Sequence, residues 1–302
     1  MPTAVVTGAG GFIGRYVARC LSDRGYEVIG IGRTPWSAGH EEWGIHRFVC
    51  FDLTRDNLRA LCLSPDVLVH CAGASEVGRS FTEPHVDFCN SALTASAVLD
   101  YVRSSARTCR IAFASSASVY GVTKSSPITE DVPVDPISPY GHHKAFVERL
   151  AAYYSRDFEL STAVVRLFSV YGIGLRKQLF WDACGKLARG ERAFHGTGEE
   201  RRDWLHVSDA AGLLVAAAEN ATTELLVLNG GSGTATSVKD ALNMVTSSFG
   251  GVPIQFTGAT RRGDPTSYVA GIGRAMALGW QPHIALTEGL AQYVDHYKRT
   301  QL

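Results

Sequence analysis

The sequence has no apolar run long enough to cross a membrane and no excess of charge of either sign. A membrane-spanning helix needs about 18 or more consecutive apolar residues, and no stretch of the 302 residues reaches that length. Lysines and arginines number 29, as do aspartates and glutamates, so the strongly basic surface of a nucleic-acid or anionic-membrane binder is missing. We therefore expect neither nucleic acids nor membranes among its partners.

Signals for metal binding and export are also missing. The seven cysteines are odd in number and scattered, and no C-x-x-C or H-x-x-x-H spacing occurs, which leaves no metal site to propose. Most of the cysteines lie in apolar surroundings, so we expect buried thiols. The chain begins with a strand-like segment instead of a charged segment followed by an apolar one, so we expect an unexported, cytoplasmic protein.

Hydrophobic residues make up 45% of the chain, enough for one large core or two smaller ones. In the first half, short apolar segments typical of buried strands alternate with helical patterns. The strand-like segments are 3–7, 27–31, 47–51, 67–71, 110–114 and 161–167, and the helix-like segments are 12–24, 85–104 and 139–156. This alternation is typical of an α/β protein with a doubly wound parallel sheet, in which ligands bind at the carboxyl ends of the strands.

The regular alternation ends near residue 170. An irregular stretch, 171–178, is followed by predicted helices at 179–189, 208–219, 237–249 and 286–299, short segments at 193–196 and 203–207, and strands at 224–229 and 253–257. We expect residues 1–170 to form a nucleotide-binding domain and residues 171–302 to form mainly a smaller lobe. Strand 224–229 is expected to extend the first sheet, so the two parts interleave.

The stretch from Ala4 to Arg15 has the pattern of a strand, a glycine turn and a helix. Free backbone N–H groups at the start of such a helix form an anion site. Gly8 would form the turn, Gly11 would let a pyrophosphate approach, and Gly14 would let the helix pack closely on the strand. The glycines are three apart, whereas the G-x-G-x-x-G pattern would need a glycine at Ile13. The alternative to a dinucleotide site is an ordinary strand-to-helix turn.

Hydroxyl groups and a Tyr-Lys pair follow two of the later strands. Ser115 and Ser116 come at the end of an apolar strand, where ligands of a parallel sheet bind. Tyr140 and Lys144 begin a predicted helix one turn apart, on one face. A nearby cation lowers the pKa of a phenol by roughly 1–3 units, which suits an acid/base tyrosine. The alternative is a surface tyrosine beside a solvated lysine.

These and further motifs resemble the extended short-chain dehydrogenase/reductases of the nucleotide-sugar epimerase/dehydratase family, nearly from end to end. One group of segments resembles the cofactor and catalytic motifs: Thr7-Gly8-x-x-Gly11-Phe12-Ile13-Gly14, His70-x-Ala72-Gly73, Ser115-Ser116-x-x-Val119-Tyr120-Gly121 and Ser138-Pro139-Tyr140-Gly141-x-x-Lys144. Another resembles the substrate lobe: Arg202-Asp203-Trp204-x-His206-Val207-x-Asp209, Arg261-x-Gly263-Asp264 and Leu278-Gly279-Trp280-x-Pro282. The resemblance implies a Rossmann-type doubly wound parallel sheet with a smaller C-terminal α/β substrate-binding lobe and the active site between them.

The resemblance also implies residue roles. Tyr140 is the acid/base, Lys144 also holds the nicotinamide ribose, and Ser116 completes the proton relay. The other residues implied to bind the cofactor are Gly8, Gly11, Phe12, Ile13, Gly14, Asp52, Leu53, Ala72, Gly73, Asn90 and Leu167. Those implied to bind the substrate are Ser75, Ser116, Ser118, Ser169, Gln178, Leu179, Arg202, Arg261 and Asp264. Guanidinium groups bind phosphate in a bidentate manner, although without the motifs both arginines would be interpreted as solvated side chains.

Several positions depart from the family pattern. Ala117-Ser118 stands where family dehydratases have an acidic residue, so a 4,6-dehydratase is not expected. Ser118 and Gly174 replace the Cys and His of relatives that epimerise C3 and C5, so double epimerisation is not expected either. Ser169 replaces a substrate-contacting Asn, and Ser75 replaces a Lys found in some 4-epimerases. The identity of the sugar therefore stays open.

The end of the second predicted strand favours NADP over NAD. Gly32 replaces the acidic residue that would bind the ribose 2′-hydroxyl, and Arg33 follows it. Losing a carboxylate removes repulsion, and the guanidinium offers a partner to a 2′-phosphate. We expect NADP or NAD as the cofactor, with NADP slightly favoured.

The resemblance implies an NAD(P)-dependent epimerase that transfers hydride at C4 of a UDP-, GDP- or dTDP-hexose. One alternative is an NAD(P)H-dependent reductase of an NDP-4-keto-6-deoxyhexose. Another is a dinucleotide sensor without catalysis, which the presence of Tyr140 and Lys144 opposes. The Val119-Tyr120-Gly121 motif favours the epimerase, whereas Arg33 and Ser169 favour the reductase.

We also expect a homodimer. The apolar faces of helices 85–104 and 139–156 would pair across a two-fold axis, through Leu93, Val98, Leu99, Phe146, Leu150 and Tyr153. A stripe that faces the protein's own core would have the same pattern.

Overall fold

The computed structural model describes residues 1–36, 39–259 and 267–302. Its strands are β1 Thr3–Thr7, β2 Glu27–Gly32, β3 Arg47–Cys50, β4 Val67–His70, β5 Arg110–Ser116, β6 Thr162–Leu167, β7 Ser169–Tyr171, β8 Ala193–Phe194, β9 Arg201–Arg202, β10 Trp204–His206, β11 Leu226–Gly230, β12 Thr236–Ser237, β13 Gln255–Phe256 and β14 Ser267–Tyr268. Its helices are α1 Phe12–Asp23, α2 Arg55–Ala60, α3 Val77–Thr82, α4 Pro84–Phe88, α5 Thr94–Ser105, α6 Pro139–Phe158, α7 Gln178–Ala188, α8 Val207–Glu219, α9 Val238–Ser247, α10 Gly273–Ala277 and α11 Leu286–Gln301. Short 3₁₀ turns occupy Glu41–Trp43 and Ala117–Tyr120, and a π-helical turn occupies Cys89–Leu93.

The described residues form a seven-stranded parallel sheet in the order β11-β6-β5-β4-β1-β2-β3. From β1 the chain runs outward to β2 and β3 and then crosses back to β4. The strand order therefore reverses between β1 and β4, which is where open α/β sheets bind ligands. The predicted doubly wound sheet is confirmed. The strand expected at 224–229 is β11, which pairs with β6.

Both faces of the sheet are covered because successive side chains of a strand point to opposite sides. Ala4 and Val6 of β1 pack in a core that includes α1 and α8. Val5, between them, packs in a second core that includes α5 and α6. Val98 and Leu99 of α5 are fully buried in this second core, so the expectation that they belong to a dimer face is wrong.

A third core lies in the C-terminal part of the chain. It is rich in aromatic side chains, and its members include Tyr171, Phe180, Trp204 and Tyr293. β7 and β10 pair in parallel, Ser169 with Trp204 and Tyr171 with His206. The Tyr293 hydroxyl donates to the Leu175 carbonyl at 2.6 Å, which fixes the loop between β7 and α7. This loop forms one wall of the cleft described below.

Some local predictions differ from the structure. The helix expected at 85–104 consists of α4, the π turn and α5. Strand β7 begins before the segment expected to be irregular and ends at its first residue. The expectation of buried thiols holds for Cys109 and Cys184, whereas Cys50 and Cys62 are exposed. Cys50 ends the edge strand β3, and Cys62 lies in a turn after α2 with φ of 50°. Among the described residues, no helix is both long enough and apolar enough to span a membrane.

Candidate active site

The glycine turn after β1 has a backbone that excludes side chains. Gly8 has φ of 70°, and a Cβ there would lie 2.7 Å from the Ala72 nitrogen. A Cβ at Gly14 would lie 2.1 Å from the Gly8 carbonyl oxygen, so α1 packs directly on the turn. Gly11 caps α1 without a side-chain hydrogen bond. The first N–H groups of the helix thus remain available for an anion.

A cavity of about 730 Å³ extends from this turn over the ends of β2 and β4. It collects most of the residues expected to hold the cofactor, namely Gly8, Gly11, Arg33, Asp52, Leu53, Ala72, Gly73 and Asn90. The Arg33 guanidinium donates to the Asn90 side-chain oxygen at 2.8 Å. A Cβ at Gly32 would lie 2.8 Å from the Phe48 ring, so that ring occupies the space of the acidic side chain expected in NAD-specific proteins. The cavity has the size and donors to hold the adenosine half of a dinucleotide.

A second cavity, of about 690 Å³, shares Gly8, Gly11 and Gly73 with the first. The two form one cleft along the carboxyl edge of the sheet. Its far end gathers the remaining cofactor residues and several expected substrate residues, namely Phe12, Ile13, Gly14, Ser75, Ser116, Tyr140, Lys144, Leu167, Ser169 and Gln178. A Cβ at Gly73 would lie 3.5 Å from the Lys144 ammonium. Gly73 also has φ of 150°, a backbone conformation that favours glycine.

Capping hydrogen bonds place the catalytic candidates. Ser116 ends β5, and its hydroxyl accepts from the Ser118 nitrogen at 3.2 Å. Ser138 caps α6 by accepting from the Gly141 nitrogen at 3.1 Å, and the Tyr140 nitrogen donates to the Ser80 hydroxyl at 3.1 Å. These caps hold Tyr140 in the first turn of α6, directly opposite the end of β5.

Burial has the largest effect on the pKa of Tyr140, and neighbouring groups adjust it. Burial raises the pKa of Tyr140 to about 12, the hydrogen bond with Ser116 opposes the rise, and the Asp87 carboxylate adds to it. Burial also lowers the pKa of Lys144, which the Asp87 carboxylate opposes. The phenol is therefore protonated at neutral pH, and the further positive charge of an oxidised nicotinamide would favour the phenolate. This arrangement is suited to proton transfer coupled to hydride transfer.

A third cavity, of about 260 Å³, lies in the C-terminal part and brings together Ser169, Gln178, Leu179 and Arg202. Ser118 is placed differently from these residues. Its hydroxyl oxygen is buried, borders none of these three cavities, and has no hydrogen-bond partner among the residues of the described ranges. Arg261 and Asp264 lie outside the described residues, so the structure says nothing of them.

The model of the NAD dependent epimerase/dehydratase family matches residues 4–228. The chain belongs to this family. A UDP-glucose 4-epimerase of Streptomyces lividans is 32% identical to it, over 92% of this chain and 91% of that relative.

Solved structures of this family cover nearly the whole chain. MoeE5 in complex with UDP-glucuronic acid and NAD is 31% identical with a TM-score of 0.87, and the match covers 99% of both chains. A UDP-galactose 4-epimerase is 30% identical with a TM-score of 0.83, and covers 99% of this chain and 100% of that chain. The prediction of an NAD(P)-dependent nucleotide-sugar epimerase of the extended short-chain dehydrogenase/reductase type is confirmed, and the reductase alternative finds no support.

In this member of the epimerase/dehydratase family, a buried polar network lies beneath Ser115 and Ser116. The Arg166 guanidinium pairs with the Glu148 carboxylate at 2.8 Å, and each side chain is only 7% exposed. Glu148 also accepts from the Ser115 hydroxyl at 2.6 Å, and Arg166 donates to the Tyr120 hydroxyl at 3.0 Å. The network joins β5, β6 and α6 and so fixes the positions of Ser116 and Tyr140.

Sequence reasoning missed four charged residues near the cleft: Asp87, Glu148, Arg166 and Lys177. Asp87 is 5% exposed and its carboxylate lies 2.6 Å from the His143 ring nitrogen. Asp87 and Glu148 lie within predicted helices, and Arg166 lies within a predicted apolar strand. Lys177 lies just before a predicted helix. None of these patterns shows which distant residue is the partner.

Proposed function

We propose that this enzyme is a nucleoside-diphosphate-sugar 4-epimerase and that its substrate is a UDP-hexose. The observation that supports this most is the position of Ser116, Tyr140 and Lys144 at one end of a cleft that continues past the glycine turn into the cavity of the adenosine half. The cavity with Arg202 adjoins the catalytic end and suits the nucleotide part of the substrate.

Each catalytic group has a distinct part in the proposed cycle. A nicotinamide cofactor held along the glycine turn and Lys144 would supply reversible hydride transfer. Tyr140, as the phenolate, takes the O4 proton while C4 loses hydride, and Ser116 links the phenol to O4. Lys144 favours the phenolate through its charge. The 4-keto sugar then rotates in the cleft so that C4 presents its other face. C4 regains hydride on that face and Tyr140 returns the proton, so no cofactor is consumed.

The substrate assignment is supported by the cavity residues and by the relatives. Both solved relatives carry a UDP-sugar in their names, either as ligand or as substrate. We assign Ser169, Gln178, Leu179 and Arg202 to the nucleotide and diphosphate. Arg261 and Asp264 stay predicted partners of the phosphate and ribose, and Ser75 and Ser118 stay predicted sugar contacts.

NADP is the proposed preferred cofactor, although NAD is bound in the structure of the relative MoeE5. Arg33 and Arg15 both line the cavity of the adenosine half. Among the described residues that line it, Asp52 is the acidic one. The blocked position at Gly32 leaves no carboxylate to repel a 2′-phosphate. Arg33 lies within reach as its partner.

We further propose that residues 1–170 bind the cofactor, with β11 completing their sheet, and that residues 171–302 mainly bind the substrate. A homodimer is proposed through the exposed residues Leu93, Phe146 and Tyr153, which are 53%, 47% and 43% exposed. A cytoplasmic location stays a prediction from the sequence.

The amount of cofactor consumed per product formed tests the function. The enzyme is incubated with UDP-glucose, UDP-glucuronic acid, GDP-hexoses and dTDP-hexoses and a trace of NAD⁺ or NADP⁺, and the products are separated by chromatography. Many turnovers per cofactor with no net change in nicotinamide absorbance are expected with a UDP-hexose. Loss of one NADPH per product, seen only with a dehydratase-generated 4-keto sugar, would contradict the epimerase. Turnover with a GDP- or dTDP-hexose alone would contradict the choice of UDP.

A further inference from the structure

Lys177 joins the two walls of the catalytic cleft. Its ammonium donates to the Ser75 hydroxyl and to the Glu76 carboxylate, both at 2.9 Å. Ser75 and Glu76 follow β4 in the cofactor-binding part, whereas Lys177 directly precedes α7. One side chain therefore crosses the cleft between segments about a hundred positions apart.

Lys177 also borders two cavities at once. It lines the 690 Å³ cavity that contains Tyr140 and the 260 Å³ cavity that contains Arg202. A nucleotide sugar with its hexose beside Tyr140 and its base beyond Arg202 must pass its diphosphate along the residues common to both cavities. Lys177 is one of those residues and carries a charge opposite to that of the diphosphate.

The charged residues that line the cleft indicate that the Lys177 ammonium can bind an anionic ligand. Within the described ranges, neither of these two cavities is lined by an aspartate or a glutamate. Three other cations among the described residues line these cavities: Lys144 and Arg176 line the catalytic one, and Arg202 lines the smaller one. The Lys144 ammonium donates to the Ala114 carbonyl at 2.9 Å. Of these four cations, Lys177 is the one that borders both cavities. The carboxylate partner of Lys177 is Glu76, at the rim, where its side chain is 52% exposed and that of Lys177 is 35% exposed. Ion pairs this exposed contribute little to stability, so a ligand with two negative charges can replace Glu76.

We propose that Lys177 is a ligand of the substrate diphosphate and that it exchanges Glu76 for the diphosphate when a nucleotide sugar enters. This inference rests on the proposed function. Glu76 holds the ammonium at the rim of the free enzyme and competes with the substrate for it. Lys177 thus determines specificity for a diphosphate-linked sugar over an uncharged sugar or nucleoside.

A purely structural role of Lys177 makes a different prediction. If the contact with Glu76 only held the two walls together, removal of either charge would weaken ligand binding alike. If the ammonium binds the diphosphate, the Lys177→Gln change weakens binding, whereas Glu76→Gln removes a competitor and leaves binding equal or tighter. Both positions are suitable for substitution because neither side chain is part of a core.

Calorimetry with the NAD(P)-loaded enzyme tests the proposal, with UDP and uridine as probes. Lys177→Gln is expected to weaken UDP binding roughly 10- to 100-fold, the range for one charge-assisted hydrogen bond, and to leave uridine binding unchanged. Glu76→Gln is expected to bind UDP at least as tightly as the wild type. Lys239→Gln, which removes an exposed lysine of α9, is the control and is expected to match the wild type.

Three results would overturn the role of Lys177: UDP binding by Lys177→Gln within twofold of the wild type, an equal loss for uridine, or weakening by Glu76→Gln as large as that by Lys177→Gln. A wild-type enzyme that binds none of UDP, dTDP and GDP would instead contradict the proposed function itself. The two failures are therefore distinguishable in one set of titrations.

Discussion

Lys144 lies one helical turn after Tyr140 on α6, and its ammonium lies 5.7 Å from the centre of the tyrosine ring. The same ammonium donates to the Ala114 carbonyl of β5 at 2.9 Å, so strand and helix hold the cation beside the phenol. Burial raises the pKa of the phenol, and the hydrogen bond with Ser116 opposes the rise. The pair is thus prepared for acid/base chemistry once a cofactor adds its positive ring.

The first prediction concerns this pair. Tyr140→Phe should lower turnover by roughly 10²–10⁴, the usual effect of losing a positioned proton-transfer group, while folding and cofactor affinity stay near those of the wild type. Lys144→Ala should lower both turnover and cofactor affinity. Steady-state kinetics and cofactor titrations measure these effects. Tyr154→Phe, on the same helix but not among the residues of the proposed dimer interface, is the matched control. Near-normal turnover of Tyr140→Phe would contradict the mechanism.

The second prediction concerns the pH dependence of turnover. The hydrogen bond with Ser116 lowers the pKa of Tyr140, so removing it in Ser116→Ala should raise that pKa further. Because oxidation of C4 needs the phenolate, the rising limb of the turnover-pH profile should move to higher pH in the variant. An unshifted limb, at any level of activity, would show that Ser116 does not act on the phenol.

Patterns within one segment were predictable, whereas contacts between distant segments were not. The glycine pattern predicts close helix packing at Gly14. In the structure a Cβ at Gly14 would lie 2.1 Å from the Gly8 carbonyl oxygen, so the helix does pack closely there. Tyr140 was found because its partner Lys144 is four positions away. Lys177 and Glu76 are 101 positions apart, and no local periodicity relates them. The exposure of Cys50 could not be predicted for the same reason, because an edge strand has the same local composition as a central strand.

The third prediction concerns the cofactor. Arg33→Ala should weaken NADP binding roughly tenfold or more, because a charge-assisted hydrogen bond to the 2′-phosphate is lost, and should change NAD binding little. Fluorescence titrations of both cofactors measure this. Arg47→Ala, an exposed arginine of the edge strand β3, serves as the control. Clearly tighter binding of NAD by the wild type, unaffected by Arg33→Ala, would refute the NADP preference.

The fourth prediction concerns the buried ion pair of Glu148 and Arg166. Glu148→Gln should lower the free energy of unfolding by about 3–5 kcal/mol, because it leaves the Arg166 guanidinium buried without a counter-charge. Glu159→Gln, whose carboxylate is 80% exposed and 3.9 Å from Arg107, should change it by less than about 0.5 kcal/mol. Denaturant unfolding compares the two. Equal effects of these substitutions would mean that the buried pair is not needed for stability.

The last prediction concerns the proposed homodimer. Leu93, Phe146 and Tyr153 lie on α6 and the π turn before α5, and each is more than two-fifths exposed. Val98 and Leu99 of α5 and Val147 and Ala151 of α6 are instead buried in the second core. Burial of such side chains against a second copy is favourable, and a charge at the centre of the face opposes it. Phe146→Glu should therefore yield a monomer in light scattering coupled to gel filtration. Met276→Glu, an equally exposed apolar position on α10, should stay a dimer because it lies away from this face. A wild-type protein that is monomeric at micromolar concentration, or a Phe146→Glu variant that is still dimeric, would remove this interface.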